Sequence, residues 1–477
     1  MLVTLNSVSA APLETTISQR YSARTYNSQS IDQQNLIELL QAAYSFTDTT
    51  MRLPEIGNVH AVDIFVVNAN GTFRFLLDTK TLAIWDSTVT KETIKSDLTQ
   101  SWEQDANTIL VFVWDQSKSN DQEFVYAETG CMIQNIYLSA VTMNIGACAA
   151  GSYDSNNLKA HLKLPSTSTP IMIVPIGIPQ SPYSSASPDY TRMNGNLPSV
   201  QINSRTYKEA LNHLTYSQTW SNQALSNQEL SQILWAAYGY SSTGHRTTPS
   251  AEGWYPLIIY FANATGTYHY LPESHSVAQI KIGDNRMQIV AATGNQLWAA
   301  GSPTIFMIAY NSSRNFGLYS DWYHFWVEID AGCVIEQILL ESSTLNLSAN
   351  IVSNGFEHWN GTTAQSIRNS LDIATSIVPM YLLPVGYQTF ISNSTPVVSS
   401  TPFVNPTDKV PTPSSTVNIP TASPNLSNTP TPTKTPNPTI PEYPFWITIL
   451  GFIIITISCI ALSFKKRNLK RFLTLAF

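Results

Sequence analysis

The chain reads as an α+β protein: two fused copies of one domain, each a mixed sheet wrapped by helices, then a disordered stalk and one C-terminal transmembrane helix. Three observations predict this. The first is an internal repeat. Gly130-Cys131-Met132-Ile133-Gln134-Asn135-Ile136-Tyr137-Leu138, closing at Pro175-Ile176-Gly177, returns as Gly332-Cys333-Val334-Ile335-Glu336-Gln337-Ile338-Leu339-Leu340, closing at Pro384-Val385-Gly386. Residues 36–44 (LIELLQAAY) return as 230–238 (LSQILWAAY). A repeat this long is a duplicated domain, not a solenoid unit. The second is the alternation, in each copy, of short β-rich apolar runs with longer helical ones. The third is a charge-free apolar run near the C-terminus.

Residues 17–185 form the first repeat and 205–390 the second, joined by a polar linker at 186–204. In residues 31–44, Leu36, Ile37, Leu39, Leu40 and Ala43 fall on one helical face, with Ser30 or Asp32 available as cap. Residues 62–67 (VDIFVV) and 257–261 (LIIYF) are short, apolar and β-rich, hence buried strands. A second matched pair is 108–114 (TILVFVW) and 304–309 (TIFMIA); the closing strands are 171–176 and 380–385. Residues 128–143 and 330–345 are apolar helices fit for a domain centre.

Residues 391–444 are rich in Pro, Thr and Ser, with too little apolar surface to offset chain entropy, and read as a stiff stalk. Residues 445–464 are twenty without a charge, enough for a bilayer core of ~30 Å. Lys465, Lys466, Arg467, Lys470 and Arg471 follow, so the positive-inside rule places the tail (465–477) in the cytoplasm and the repeats outside the cell. Residues 1–16 read as the remnant of a signal peptide, with a cleavage-like segment at 5–12 and no charged n-region. Sequons begin at Asn70, Asn263, Asn311, Asn346, Asn360, Asn393 and Asn425, in agreement with an exterior location. Net charge is −7 and the repeats carry no basic patch, which argues against a nucleic-acid partner. Cys131, Cys148, Cys333 and Cys459 form no C-x-x-C pair and no metal spacing with His; they read as small buried hydrophobes.

Gln19-Arg20-Tyr21-Ser22-Ala23-Arg24-Thr25-Tyr26 resembles the R-R-S-x-R-x-Y opening of FMN-dependent nitroreductases. The helix beginning at Gly130, then Gly146-Ala147-Cys148-Ala149-Ala150-Gly151 and the closing P-I-G, follow that family in order. His245-Arg246-Thr247-Thr248-Pro249-Ser250-Ala251-Glu252-Gly253-Trp254-Tyr255-Pro256-Leu257 resembles the R-x-x-P-S-A-G-x-x-Y-P-L segment of SagB-type dehydrogenases, and Gly266-Thr267-Tyr268-His269-Tyr270 their G-x-Y-H-Y strand. The resemblance implies a dimer with FMN between its subunits. One subunit's arginines and serine hold the phosphate, and the other's P-S segment covers the ring.

Here the two subunits are the two repeats, an intramolecular pseudo-dimer. Repeat 1 keeps Arg20, Ser22 and Arg24; repeat 2 has Leu214-Thr215-Tyr216-Ser217-Gln218-Thr219-Trp220 there, and no Arg or Lys between Lys208 and Arg246. Repeat 2 keeps Arg246, Pro249, Ser250 and Ala251; repeat 1 has Pro54-Glu55-Ile56 opposite the P-S-A. The losses are complementary, so at most one FMN per chain is expected, with Ala150 and Gly151 bringing backbone N–H groups to the ring. Forked guanidinium donors and a hydroxyl suit a phosphate dianion. No metal site is expected. SagB-type azoline oxidases carry a Lys-Tyr pair before the glycine-bearing helix; residues 319–326 here contain no lysine, leaving Tyr323 and His324 as catalytic candidates. NAD(P)H or a membrane donor would supply electrons, and the acceptor is an open choice between a small molecule and a peptide. The alternative is a catalytically inactive surface protein that uses the scaffold for binding or display; flavin content separates the two.

Overall fold

The computed structural model describes residues 11–389, apart from 48–49, 55, 57–59, 295, 314–322, 353–360 and the side chain of Tyr323. The stalk, the apolar run at 445–464 and the basic tail lie outside the described residues. Among the described residues no helix is long and apolar enough to cross a membrane.

In repeat 1 the elements run α1 (Leu13–Gln19), α2 (Gln33–Ala43), β1 (Val62–Asn68), β2 (Gly71–Leu76), β3 (Thr81–Asp86), α3 (Ser101–Asp105), β4 (Thr108–Asp115), α4 (Gln122–Thr142), β5 (Gly146–Ala147), α5 (Ser155–His161) and β6 (Ser168–Gly177). Repeat 2 gives the same order: α6 (Tyr207–Asn212), α7 (Asn227–Tyr238), β7 (Leu257–Asn263), β8 (Gly266–Leu271), β9 (Ser276–Ile282), α8 (Arg286–Ala291), β10 (Thr304–Asn311), α9 (Tyr323–Thr344), β11 (Ser348–Ala349), α10 (Thr362–Leu371) and β12 (Ile377–Gly386).

Each repeat builds one six-stranded sheet, ordered β3-β2-β1-β4-β6-β5 and β9-β8-β7-β10-β12-β11. A mixed sheet was expected, yet every pairing between these strands is antiparallel. Tight hairpins account for β1-β2-β3 and β7-β8-β9, since hairpins produce only antiparallel neighbours; the remaining pairings are antiparallel across longer connections. Alternation sorts the faces. Ile64 and Val66 of β1 enter the central core, while Phe65 and Val67 enter a satellite core on the other face.

Asp32 caps α2, accepting from the Gln34 and Asn35 N–H groups. Helix α4 begins six residues earlier than its apolar pattern, because Asp121 caps it at Phe124. Residues 13–16, assigned to a signal remnant, belong instead to α1: Leu13 and Ile17 are fully buried, and the Leu13 N–H donates to Arg205 O at 2.8 Å. A short polar helix with two apolar anchors carries too little periodicity to stand out in the sequence.

The two repeats share one compact unit and one central core. Its axis is the contact of α4 with α9. A Cβ on Gly130 would stand 2.8 Å from the Gly332 Cα and closer still to Ile329 O; a Cβ on Gly332 would collide with Ala127 O. Only glycine permits that approach. Around it the contacts repeat with two-fold regularity: Cys131 Sγ donates to Gly332 O, and Cys333 Sγ to Gly130 O, each at 3.2 Å. The cysteines are therefore buried thiols, as expected. Next along the helices, Asn135 Nδ2 donates to Glu336 Oε1 at 2.9 Å and Tyr207 Oη to Asn135 Oδ1 at 2.9 Å. Glu336 takes the place that Gln134 holds in repeat 1.

Two outcomes follow from this crossing. Gly332→Ala should cost about 1–3 kcal/mol, read as a lower urea midpoint with an unchanged slope. Burial pushes Glu336 from an ordinary 4.5 up to about 8, against the pull of the Asn135 amide. The folded chain then holds a proton that the unfolded chain releases, so this contribution is complete below about pH 4.5 and is lost as pH rises to about 8. Thermal melts should fall across that window. Glu336→Gln, neutral at every pH, should flatten the fall; an unchanged pH profile would refute the assignment.

Candidate functional site

A cleft of about 320 Å³ opens between the repeats. Its repeat 1 wall comes from the segment after α1 (Ser22, Arg24), from Trp102 of α3, from Ile133 and Tyr137 of α4, and from residues 149–152 after β5. Its repeat 2 wall comes from Pro249, Ser250, Ala251, Glu252 and Trp254 before β7, and from Trp326, Ile329 and Asp330 of α9. The cleft thus brings together Ser22, Arg24, Ala150 and Gly151 with Pro249, Ser250 and Ala251.

Residues 20–26 alternate like an edge strand. The Ala23 N–H donates to Ala147 O at 3.0 Å and its methyl is buried, which turns Ser22 and Arg24 the other way. Tyr137 sits beneath them. The Ala149 N–H donates to its Oη at 2.9 Å, and Ser22 Oγ lies 3.1 Å from the same oxygen. Burial holds the Tyr137 phenol and the Cys148 thiol above their ordinary pKa values, so both stay neutral. Arg24 is exposed and lies over the Trp102 ring, 5.5 Å from its centroid. A hydroxyl and a guanidinium therefore line the cleft together with Trp102, Trp254 and Trp326.

Arg20 has a different setting. It is 3 % exposed and does not line the cleft. Its Nε donates to Thr247 O at 3.2 Å and one terminal nitrogen to Arg246 O at 2.9 Å, tying repeat 1 to the loop that carries Pro249-Ser250-Ala251. Its other terminal nitrogen is buried without a partner among the described residues. The mirror position keeps the tie but reverses the donor: Arg52, the repeat 1 counterpart of Thr247, donates to Leu214 O at 2.6 Å. Arg246 also stands off the cleft. Its guanidinium lies over the Tyr238, Tyr240 and Tyr255 rings and pairs with Glu273 at 3.1 Å.

Two backbone expectations change as well. The Ala150 N–H is committed to Ile173 O at 2.9 Å. Gly151 is required because the Trp326 ring packs where a Cβ would stand. His324 lies at the exposed start of α9 and does not line the cleft. Tyr323 begins that helix, with its side chain outside the described residues, as Glu55 is.

Sequence reasoning passed over Asp330. It is buried at the cleft wall and accepts a hydrogen bond from Ser250 Oγ, which in turn accepts from the Tyr255 N–H at 2.9 Å. Burial pushes its carboxyl up to about 8, against the pull of Ser250 and the Ala251 N–H, so it holds a proton at neutral pH. The available signal was an acid inside an apolar helix. Repeat 1 carries Glu128 at the same helix position, where it meets His60 Nδ1 at 2.6 Å instead.

Removal of the Arg20 guanidinium strips two charge-assisted hydrogen bonds from the contact between repeats. Arg20→Met should cost roughly 2–3 kcal/mol of stability, measured by urea unfolding. A neutral result would show that the tie carries no load.

Comparison with known proteins was made on this background. The model of the nitroreductase family matches residues 17–178 and 218–387, one segment in each repeat. A Methanocaldococcus jannaschii protein provisionally described as a nitroreductase is 33 % identical over 174 residues, 35 % of this chain and 83 % of that relative. The crystal structure of a protein from Anabaena variabilis with the same provisional description aligns over 76 % of this chain and 90 % of its own, with a TM-score of 0.60 and 14 % identity. At that identity the likeness speaks for the fold alone.

Proposed function

The chain belongs to the nitroreductase family, and from that membership we propose that it is an FMN-dependent oxidoreductase of the SagB-type branch with one composite flavin site per chain. The observation that carries the reading is the single cleft that gathers the surviving half-sites of both repeats: Ser22, Arg24, Ala150 and Gly151 against Pro249, Ser250 and Ala251.

The residues present fit a flavin mononucleotide. The volume suits a small-molecule site. Arg24 and Ser22 offer a cation and a hydroxyl for the phosphate, and the spare nitrogen of Arg20 is a buried donor in want of an acceptor. Trp102, Trp254 and Trp326 give apolar walls for the ring. When bound, the flavin supplies two-electron transfer. The chain's own part is to bind, orient and exclude water. Tyr137 fixes Ser22, Trp326 shields the Gly151 wall, and Asp330 holds a proton beside Ser250. NAD(P)H or a membrane donor is the proposed reductant. The proposal extends to topology: repeats outside the cell, carried on the stalk at 391–444 and anchored by residues 445–464.

One observation favours the second reading, a scaffold without chemistry. Two of the Arg20 donors are spent on backbone carbonyls, which leaves Arg24 as the only guanidinium lining the cleft among the described residues. Flavin content decides. Purified residues 11–390 should be yellow, with one FMN per chain by absorbance at 450 nm on the order of the flavin's usual maximum. Arg24→Ala should weaken binding roughly tenfold, about 1.4 kcal/mol. Two flavins per chain would sink the composite site, and a colourless protein that cannot be reconstituted would favour the scaffold.

A further inference from the structure

The segment from Thr247 to Tyr255 is the repeat 2 wall of the cleft, and its backbone is not relaxed. Glu252, Gly253 and Tyr255 have φ of 51°, 68° and 49°. Two of these are side-chain-bearing residues in the left-handed region, a conformation that persists only where surrounding contacts enforce it.

The enforcing contacts lie at two places. At the start of the segment, Arg20 of repeat 1 holds the Arg246 and Thr247 carbonyls, and Gln337 Nε2 also donates to Thr247 O at 3.2 Å. At the cleft, the Ser250 hydroxyl joins the turn to Asp330. The Tyr255 N–H can only donate, so it occupies one lone pair of Ser250 Oγ; the hydroxyl donates to Asp330 Oδ2, and a protonated carboxyl keeps the same pair joined in either direction. Asp330 itself stands two residues before Gly332, at the tightest point of the α4–α9 crossing. A strained turn is thus hooked to the least yielding part of the molecule.

Among the described residues the hook is seen at this cleft. In repeat 1 the same helix position carries Glu128, whose partner is His60. The counterpart of Ser250 in the sequence there is Glu55, a second carboxylate that has no hydroxyl to give.

We propose that Ser250 and Asp330 form the catch of a cover over the cleft: Asp330 is a positioning residue that holds the 249–255 turn closed, and its release sets how fast a bound ligand escapes. The proposal rests on the flavin reading for the identity of that ligand.

Closure and protonation are linked. In the closed state burial holds the Asp330 proton up to about pH 8, and a protonated carboxyl still accepts from Ser250 through its carbonyl oxygen. Opening admits water and lets the carboxylate ionise at lower pH. The closed form therefore binds the proton more tightly, and closure weakens as pH rises through about 8. Glu336, six residues along α9, shares that window but is hydrogen-bonded to Asn135 rather than to Ser250. Burial and the Asp330 charge push Tyr238 of α7 and Cys333 of α9 well above their ordinary values. Arg20 acts on Cys333, and the Arg246 guanidinium lies over the Tyr238 ring.

The test uses the full chain and two readouts. The first is amide hydrogen exchange of residues 250–255 in flavin-free protein at pH 7. Ser250→Ala and Asp330→Ala should each exchange roughly tenfold faster than the native chain, and the double variant no faster than either. The second is FMN release after dilution, followed by flavin fluorescence from pH 6 to 9. Release should quicken with pH in the native chain. Asp330→Asn, neutral at all pH and still an acceptor, should keep slow release with a flat profile. Native-like exchange in Ser250→Ala, additive effects in the double variant, or a pH dependence that survives Asp330→Asn would overturn the catch. Exchange reads the turn even where no flavin binds, so failure of the flavin reading and failure of the catch are told apart.

Discussion

Everything in this molecule is arranged about the approach of Gly130 to Gly332. Where α4 and α9 cross, backbone meets backbone, and no side chain larger than hydrogen fits on either side. That contact sets the distance between repeats, and so brings the segment after α1 within reach of the loop before β7. The reciprocal thiol contacts of Cys131 and Cys333 mark the same near-symmetry. Close helix contact also explains why both helices are buried on nearly every side and why their polar residues pair across the interface, as Asn135 does with Glu336.

Symmetry in the backbone has been kept while symmetry in the chemistry has been lost. Both crossings of the loop between repeats are held by an arginine, but Arg20 donates from repeat 1 to repeat 2 at its own cleft, and Arg52 donates from the loop side at the mirror position. Both long helices carry an acid at one position, but Asp330 receives a hydroxyl and Glu128 a histidine. In the matching segment of repeat 2, Ser217 matches Ala23 in register and folds back on its own chain, accepting from the Thr219 N–H and donating to Thr219 O. Duplication supplied two equivalent frames. Among the described residues, one of them lines a polar, aromatic-walled cleft.

Much of the fold was legible because it rests on long periodic signals. The buried runs at 62–67, 108–114, 171–176 and their repeats each became a strand, and residues 31–44 became α2 with Asp32 as its cap. The hairpin strands β3 and β9 escaped notice because apolar residues such as Ile84, Trp85 and Ile282 lie on their exposed positions, so hydrophobicity does not alternate with burial there. Helix α1 escaped because two apolar anchors in seven residues make no pattern. In the site, the two copies differ residue by residue, with Gln218 where repeat 1 has Arg24 and Glu55 where repeat 2 has Ser250. The task of Arg20 was not legible. A guanidinium serves a phosphate and a pair of carbonyls equally well, and only the position of the Arg246 and Thr247 oxygens distinguishes them.

By itself the sequence determined that there are two copies of one α+β domain and which segments are buried strands and central helices. Those facts are written in composition, period and side-by-side difference, all of them local. Only the tertiary structure decided that Asp330 stands behind Ser250, that Trp326 fills the space beside Gly151, that Arg246 turns away into a cluster of tyrosines, and that the sheets are antiparallel throughout their strand pairings. These depend on which surfaces meet when α4 and α9 close to backbone contact, and a one-dimensional pattern carries no information about what lies opposite.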